Sequence, residues 1–208
     1  CRAIPIEVDA SGNLQLDSID PHDIERALLL WVNSPSNPSG QLDDLDAAAM
    51  WGRTHGVPVF SDECYVEFTW DGRRRTILEN GLDGVVAVHS LSKRSNLAGA
   101  RVGFYAGDPD LVGYLSEVRK HVGMMVPGPA QSAAIAALGD DAHVEEQRER
   151  YGKRLTLMAN VLSEWAKCDV PMPQGGFYLW IPVGEAWAFV ERLITDGGAL
   201  VSPGEFYG

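Results

Sequence analysis

The sequence predicts an α/β fold: a mostly parallel sheet sandwiched by helices, continued by part of a small α+β unit. Three observations predict it. Short apolar, β-branched runs recur at residues 28–32, 57–60 and 85–88, and their lack of polar alternation is how strands buried on both faces read. Segments with helical periodicity and capping residues lie between them. Each apolar run also ends in a polar or turn-rich cluster, and open parallel sheets bind ligands beyond the carboxyl ends of their strands.

Taken in order, residues 3–8 (Ala-Ile-Pro-Ile-Glu-Val) read as strand-like. Residues 28–32 (Leu-Leu-Leu-Trp-Val) form the first buried strand, and the stretch from Asn33 to Gly40 (Asn-Ser-Pro-Ser-Asn-Pro-Ser-Gly) is turn chemistry throughout. A helix follows over residues 42–55, with Asp43, Asp44 and Asp46 near its positive N-terminal end. Residues 57–60 make the next strand, ending at Asp62-Glu63-Cys64-Tyr65. The strand over 85–88 runs into Ser90-Leu91-Ser92-Lys93, and a fourth strand spans 101–106. Helices are expected over 109–121 and 130–138, with a Gly/Met/Pro loop between them. One long charged amphipathic helix over 142–165 carries the chain into the second unit. That unit should hold a strand at 175–181, a helix at 186–196 and a last strand at 199–201. The expected division is residues 1–145, part of a large domain, and 146–208, part of a small C-terminal one.

Bulk properties exclude several classes. With 45% hydrophobic and 22% charged residues the composition is that of a globular protein. The net charge of -12 argues against nucleic-acid or anionic-membrane partners, whose phosphates it would repel. No apolar run has spanning length and no basic-then-apolar leader is present, so a soluble, cytoplasmic protein is expected. The cysteines Cys1, Cys64 and Cys168 are odd in number and widely spaced, giving neither a disulfide framework nor a zinc pattern. The histidines show no metal-ligand spacing either, so no metal is expected. The chain opens at Cys1 in strand-like sequence and stops just past an apolar run, and it reads as an internal fragment of a longer protein.

The chemistry lies in three polar clusters, 33–40, 62–65 and 90–101. If their strands are parallel neighbours, all three converge on one edge of the sheet. Lys93, with Ser90 and Ser92 before it and Arg101 eight residues on, could hold a carbonyl cofactor through its amine and grip a phosphate through its neighbours. A lysine after one strand is ordinarily a solvated surface residue, and Asp62 or Asn37 alone would be a turn or cap residue. Convergence is what raises them above that. Ser90-Leu91-Ser92-Lys93 also satisfies Ser-x-x-Lys, but the Ser-Asp-Asn and Lys-Thr-Gly companions of that acylation site do not occur.

These residues resemble the fold-type I, class I/II aminotransferases, which use pyridoxal 5′-phosphate (PLP). The run around Asn37 is similar to their Asn-Pro-x-Asn-Pro-Thr-Gly signature, Asp62-Glu63-Cys64-Tyr65 to their Asp-x-x-Tyr element, and Ser90-x-Ser92-Lys93 with Arg101 to their lysine signature. By that resemblance Lys93 would form a Schiff base with PLP and then move the substrate proton. Asp62 would pair with the pyridine nitrogen, while Asn37 and Tyr65 would hydrogen-bond the 3′-oxygen. Ser90, Ser92 and Arg101 would hold the phosphate. Tyr178 is a candidate lining residue.

The resemblance further implies an amino acid and a 2-oxo acid as substrates, and a homodimer. The wording of residues 92–99, 119–127 and 138–144 is similar to bacterial N-succinyldiaminopimelate aminotransferases, which exchange an amino group between glutamate and N-succinyl-2-amino-6-oxopimelate. Arg94 and Arg119 are candidate cations for so anionic a substrate. Aspartate or aromatic aminotransferases, carbon–sulfur lyases of the same fold, and a non-catalytic PLP-binding regulatory domain are the alternatives. The family's phosphate loop and ring-stacking aromatic would precede this stretch and its carboxylate-binding arginine would follow it, so the fragment alone is expected to be a poor enzyme.

Overall fold

The computed structural model describes residues 1–9, 13–166 and 169–207, so Cys168 lies outside the described residues. Its centre is a four-stranded sheet in the order β1 (Leu30–Asn33), β2 (Val59–Asp62), β3 (Val85–Ser90) and β4 (Gly103–Gly107). The first three strands are parallel, with Asn33 opposite Asp62 and Asp62 opposite Val88. The fourth returns antiparallel along β3 and pairs Gly103 with Ser90. Helices α1 (Pro21–Ile24), α2 (Leu45–His55) and α3 (Leu91–Arg94) interleave with the strands. Helices α4 (Pro109–His121), α5 (Gly128–Leu138), α6 (Ala142–Ala166) and α7 (Ala186–Gly197) follow them.

Local chemistry sets the boundaries. Helix α2 starts three residues later than the periodicity predicts, because the Asp44 carboxylate caps it by accepting the Asp46 and Ala47 N–H groups. It ends at Gly56 in the left-handed region, the conformation that stops helices without a Cβ penalty. Strand β4 starts at Gly103 rather than at Arg101, because Arg101 itself adopts a left-handed conformation (φ 54°) that no strand accommodates. Leu28 and Leu29 stay outside β1 and exposed.

One face of the three parallel strands is covered by α2. Leu30, Val32, Val59, Val85 and Ala87 pack against Leu45, Ala48, Ala49 and Trp51 of α2, and burying each of the larger side chains contributes about 1.5–3 kcal/mol. The expected cover on the second face is partial. Tyr105 of β4 reaches Ser116 of α4, whereas Trp31, stacked on Phe60, remains half-exposed.

The strands expected at 175–181 and 199–201 do not form, nor does one at 3–8. The bridges involved are isolated, Val8 with Leu14 and Thr69 with Gly175. A strand needs a laddered neighbour to satisfy its backbone, and among the described residues these segments have none beyond those bridges. The helices over 109–121, 128–138, 142–166 and 186–197 agree with the sequence reading to within two residues. Among the described residues no helix is long and apolar enough to cross a membrane.

Candidate functional site

The carboxyl ends of β1, β2 and β3 lie side by side, and the three polar clusters leave the sheet there. Asp62 is the last residue of β2. Its carboxylate accepts the Cys64 N–H at 3.1 Å, which turns the chain sharply after the strand. Beside it, Asn33 ends β1, and its side-chain oxygen accepts the Asn37 N–H at 2.7 Å. Strand β3 passes directly into α3 through Ser90, whose hydroxyl caps the helix by accepting the Ser92 N–H at 3.1 Å. Lys93 sits on that single turn. Its Nζ lies 5.5 Å from the centre of the Tyr65 ring and 5.7 Å from that of Phe177. Among the described residues it makes no ion pair.

Cys64 stitches these parts together. Burial pushes its thiol up to about 12, reinforced by the hydrogen bond to Asp62 and that carboxylate's charge. The Lys93 charge and a Ser90 hydrogen bond pull the other way. The Tyr65 phenol is held above the ordinary phenol range by burial first, then by its 2.8 Å hydrogen bond to the Tyr178 hydroxyl. Both groups therefore carry their protons at neutral pH, and either hydroxyl of the Tyr65–Tyr178 pair can be the donor.

Asn37, Asp62, Tyr65, Ser90, Ser92 and Lys93 thus form one connected neighbourhood. Arg101 stands apart. Its Nη1 donates to the Ala98 carbonyl at 2.9 Å, and the remaining guanidinium donors find no protein partner among the described residues. Arg94, a candidate for meeting an anionic substrate, is tied to the Glu67 and Asp141 carboxylates and, at 2.9 Å, to the Ala137 carbonyl. Arg119 donates to the Met124 carbonyl. Arg94 therefore presents no free fork, whereas Arg119 commits one Nη2 donor to that carbonyl.

The sequence reading missed Phe177 and reached Tyr178 only as a candidate lining residue. They arrive on a segment docked by backbone contact. Gly175 N–H donates to the Gly40 carbonyl at 2.7 Å, and Trp70 Nε1–H to the Gly176 carbonyl at 2.7 Å. A Cβ on Gly40 would stand 2.5 Å from Pro173 Cβ and 2.6 Å from the Gly175 oxygen, while one on Gly175 would meet Pro35 at 2.5 Å. Phe177 then fills the space between Tyr65, Phe68 and Tyr151, with ring centroids 4.8–5.5 Å apart. The glycine pair of Gly-Gly-Phe-Tyr was the available signal.

Glu63 was also missed. It is wholly buried, accepts the Ile77 N–H at 2.8 Å on one oxygen, and turns the other to His89 Nε2 at 3.3 Å. His89 stacks on Phe104. Among the described residues no cluster of three or more His, Cys, Asp or Glu could hold a metal ion.

Comparison with known proteins agrees with this geometry. The family model described as aminotransferase class I and II matches residues 2–208. A 4-dedimethylamino-4-oxo-anhydrotetracycline transaminase of Streptomyces rimosus is 47% identical over 193 residues, covering 88% of this chain and 53% of the relative. An LL-diaminopimelate aminotransferase of Aquifex aeolicus is 31% identical, covering 99% and 55%. An aminotransferase structure from Staphylococcus aureus superposes with a TM-score of 0.88 at 28% identity, covering 99% of this chain and 57% of that one. The chain spans about half the length of the relatives it matches.

Proposed function

Because the chain belongs to the class I and II aminotransferases, a PLP-dependent family, we propose that it carries the cofactor-holding part of an aminotransferase that moves an amino group between an amino acid and a 2-oxo acid. The observation that supports this most is the convergence of three strand ends on Lys93, an amine with aromatic neighbours and no ionic partner among the described residues. The residues fit the cofactor by their donor set: an amine, a carboxylate at a strand end, a protonated phenol, two hydroxyls and a guanidinium with unused forked donors.

When bound, PLP supplies an aldehyde and an electron-withdrawing ring. Lys93 would hold the aldehyde carbon and, once released by the substrate amine, carry the proton taken from the substrate α-carbon. Asp62 would keep a proton on the ring nitrogen. Tyr65 and Asn37 would donate to the ring's 3′-oxygen, and Ser90, Ser92 and Arg101 would grip the phosphate. Residues 1–145 would belong to the larger cofactor-binding unit and 146–208 to the smaller, in a cytoplasmic homodimer.

For the substrates, glutamate as donor and N-succinyl-2-amino-6-oxopimelate as acceptor is our first reading, resting on the wording of residues 92–99, 119–127 and 138–144. The likeness to an LL-diaminopimelate aminotransferase supports only the diaminopimelate class. The higher identity to a transaminase of an oxo-anhydrotetracycline favours a bulkier ketone as the second. The test uses the full-length protein with PLP, glutamate and a panel containing both acceptor types. Conversion of the cofactor's visible absorbance to that of its amine form is expected, and Lys93→Ala should abolish the lysine-bound absorbance. No conversion with any donor would defeat the aminotransferase reading.

A further inference from the structure

The side chain of Asn33 joins two chain segments to which our functional reading assigns the same cofactor ring. Its Oδ1 accepts the Asn37 N–H at 2.7 Å, and its Nδ2 donates to the Asp62 carbonyl at 3.0 Å. Only this orientation of the amide satisfies both contacts, because Asn37 offers a donor and Asp62 an acceptor. The Asp62 carbonyl also accepts the Ser34 N–H at 3.1 Å, so its two lone pairs are both used. The Asn33 backbone N–H, on the outer side of the edge strand β1, is met by the Asp43 carboxylate.

We infer that Asn33 is a positioning residue of the cofactor site, its amide fixing the distance between the Asn37 loop and the Asp62 strand end. This rests on the functional reading above, in which Asn37 donates to the ring's 3′-oxygen and Asp62 holds the proton on the ring nitrogen. Those contacts sit at different points of one rigid ring, so their spacing must be set before the ring arrives. The β1–β2 ladder fixes the strands, but it ends at the rung that pairs Asn33 with Asp62. Beyond that rung the Asn33 amide bonds the backbone of both segments. The Ser34 N–H also meets the Asp62 carbonyl, but it precedes Asn37 by three residues; the bonds Gly40 N–H to Ser36 and Ser36 N–H to Gln41 are internal to the loop.

The role is separable from mere folding by comparing substitutions. Asn33→Ala removes both bonds. Asn33→Asp keeps the acceptor for Asn37 N–H and loses the donor to Asp62. In the full-length apoprotein, hydrogen exchange of the peptide containing Asn37 should accelerate in Asn33→Ala and stay close to wild type in Asn33→Asp. Pro35 and Pro38 contribute no amide, so the signal comes from few sites. With PLP bound, the pH titration of the cofactor's visible absorbance should shift in both variants. Turnover, normalised to the cofactor-loaded fraction, should fall about 10- to 100-fold in Asn33→Ala and less in Asn33→Asp, with donor KM changing much less.

If Asn33→Ala does not fold, Asn33→Asp carries the same absorbance and turnover readouts. An unshifted titration and wild-type turnover per loaded site would overturn the inference, leaving Asn33 a stabilising residue only. Wild-type protein that binds PLP but converts it with no donor would instead defeat the aminotransferase reading, while exchange and titration would still judge Asn33.

Discussion

Asp43 offers a stability test with a defined sign. Its carboxyl lies between the end of β1 and the start of α2, where burial raises its pKa from 3.8 to about 6, against the lowering effect of the Asn33 backbone hydrogen bond. A carboxyl raised in the folded state favours folding most when protonated. That contribution is fully present below pH 3.8 and is lost as the pH rises through about 6. The interval between the two values corresponds to about 3 kcal/mol at most. The side chain is only partly buried and solvent screens it, so about 1–3 kcal/mol is the working expectation. An asparagine at this position would keep an acceptor for the Asn33 N–H without the charge. Asp43→Asn should therefore stabilise the protein by about 1–3 kcal/mol near neutral pH, with the gain shrinking towards zero at about pH 4. Urea unfolding of the full-length apoprotein across that range measures it, and an NMR titration of the Asp43 carboxyl checks the cause. A difference between variant and wild type that does not change with pH, or titration near 4, would refute the reasoning.

Two further substitutions probe how the site is held. Gly40→Ala combines a left-handed backbone (φ 75°) with a Cβ 2.5 Å from Pro173, so a loss of about 2–4 kcal/mol is expected in chemical denaturation. Its release of the 174–178 segment should appear as faster hydrogen exchange at Gly175, and an unchanged midpoint would contradict the docking. Arg148→Met removes the donors to the Glu67 and Thr69 carbonyls, at 3.1 and 2.5 Å, and the contact 5.0 Å above Trp70. Leaving two carbonyls unpaired should cost about 2–4 kcal/mol, whereas a loss below about 0.5 kcal/mol would mean that water replaces the guanidinium.

What the sequence made legible was local. Residues 109–121 carry Asp108 as a cap, Pro109 at the first helical position and Arg119, Lys120 and His121 in the last turn, so both ends of α4 could be read directly. The strands read well because buried parallel strands leave continuous apolar runs. Features made by register or by distant docking were not legible. Asn33 reads as a turn residue until Asp62 is known to lie opposite it. Glu63 is an unassigned position of the Asp-x-x-Tyr element until Ile77 and His89 are brought to its two oxygens. The strands expected at 175–181 and 199–201 do not form because an apolar run shows which residues suit a ladder, not whether a partner strand adjoins.

The same distinction separates the cofactor from the substrate. Two of the proposed cofactor residues are held by local backbone geometry: a cap at Ser90 and a turn at Asp62. Such geometry follows from short motifs, so a motif reader can find it. Substrate choice depends on which cations are left unpaired around the site, and Arg94 illustrates why sequence cannot settle that. It follows Lys93 directly, yet its guanidinium ties α3 to α5 through Ala137, to Asp141 just before α6, and to Glu67 beside the aromatic cluster. That ion-pair network braces the turn bearing Lys93 and leaves no fork for a distal carboxylate. An acceptor as anionic as N-succinyl-2-amino-6-oxopimelate must then find its cations at other residues, and Arg119, which commits one donor to the Met124 carbonyl, is a candidate. The unused donors of Arg101 are assigned to phosphate and do not meet that need. Under the proposed function, selectivity between that acceptor and a bulkier ketone turns on which cations reach this surface, while the role proposed for Lys93 is common to both.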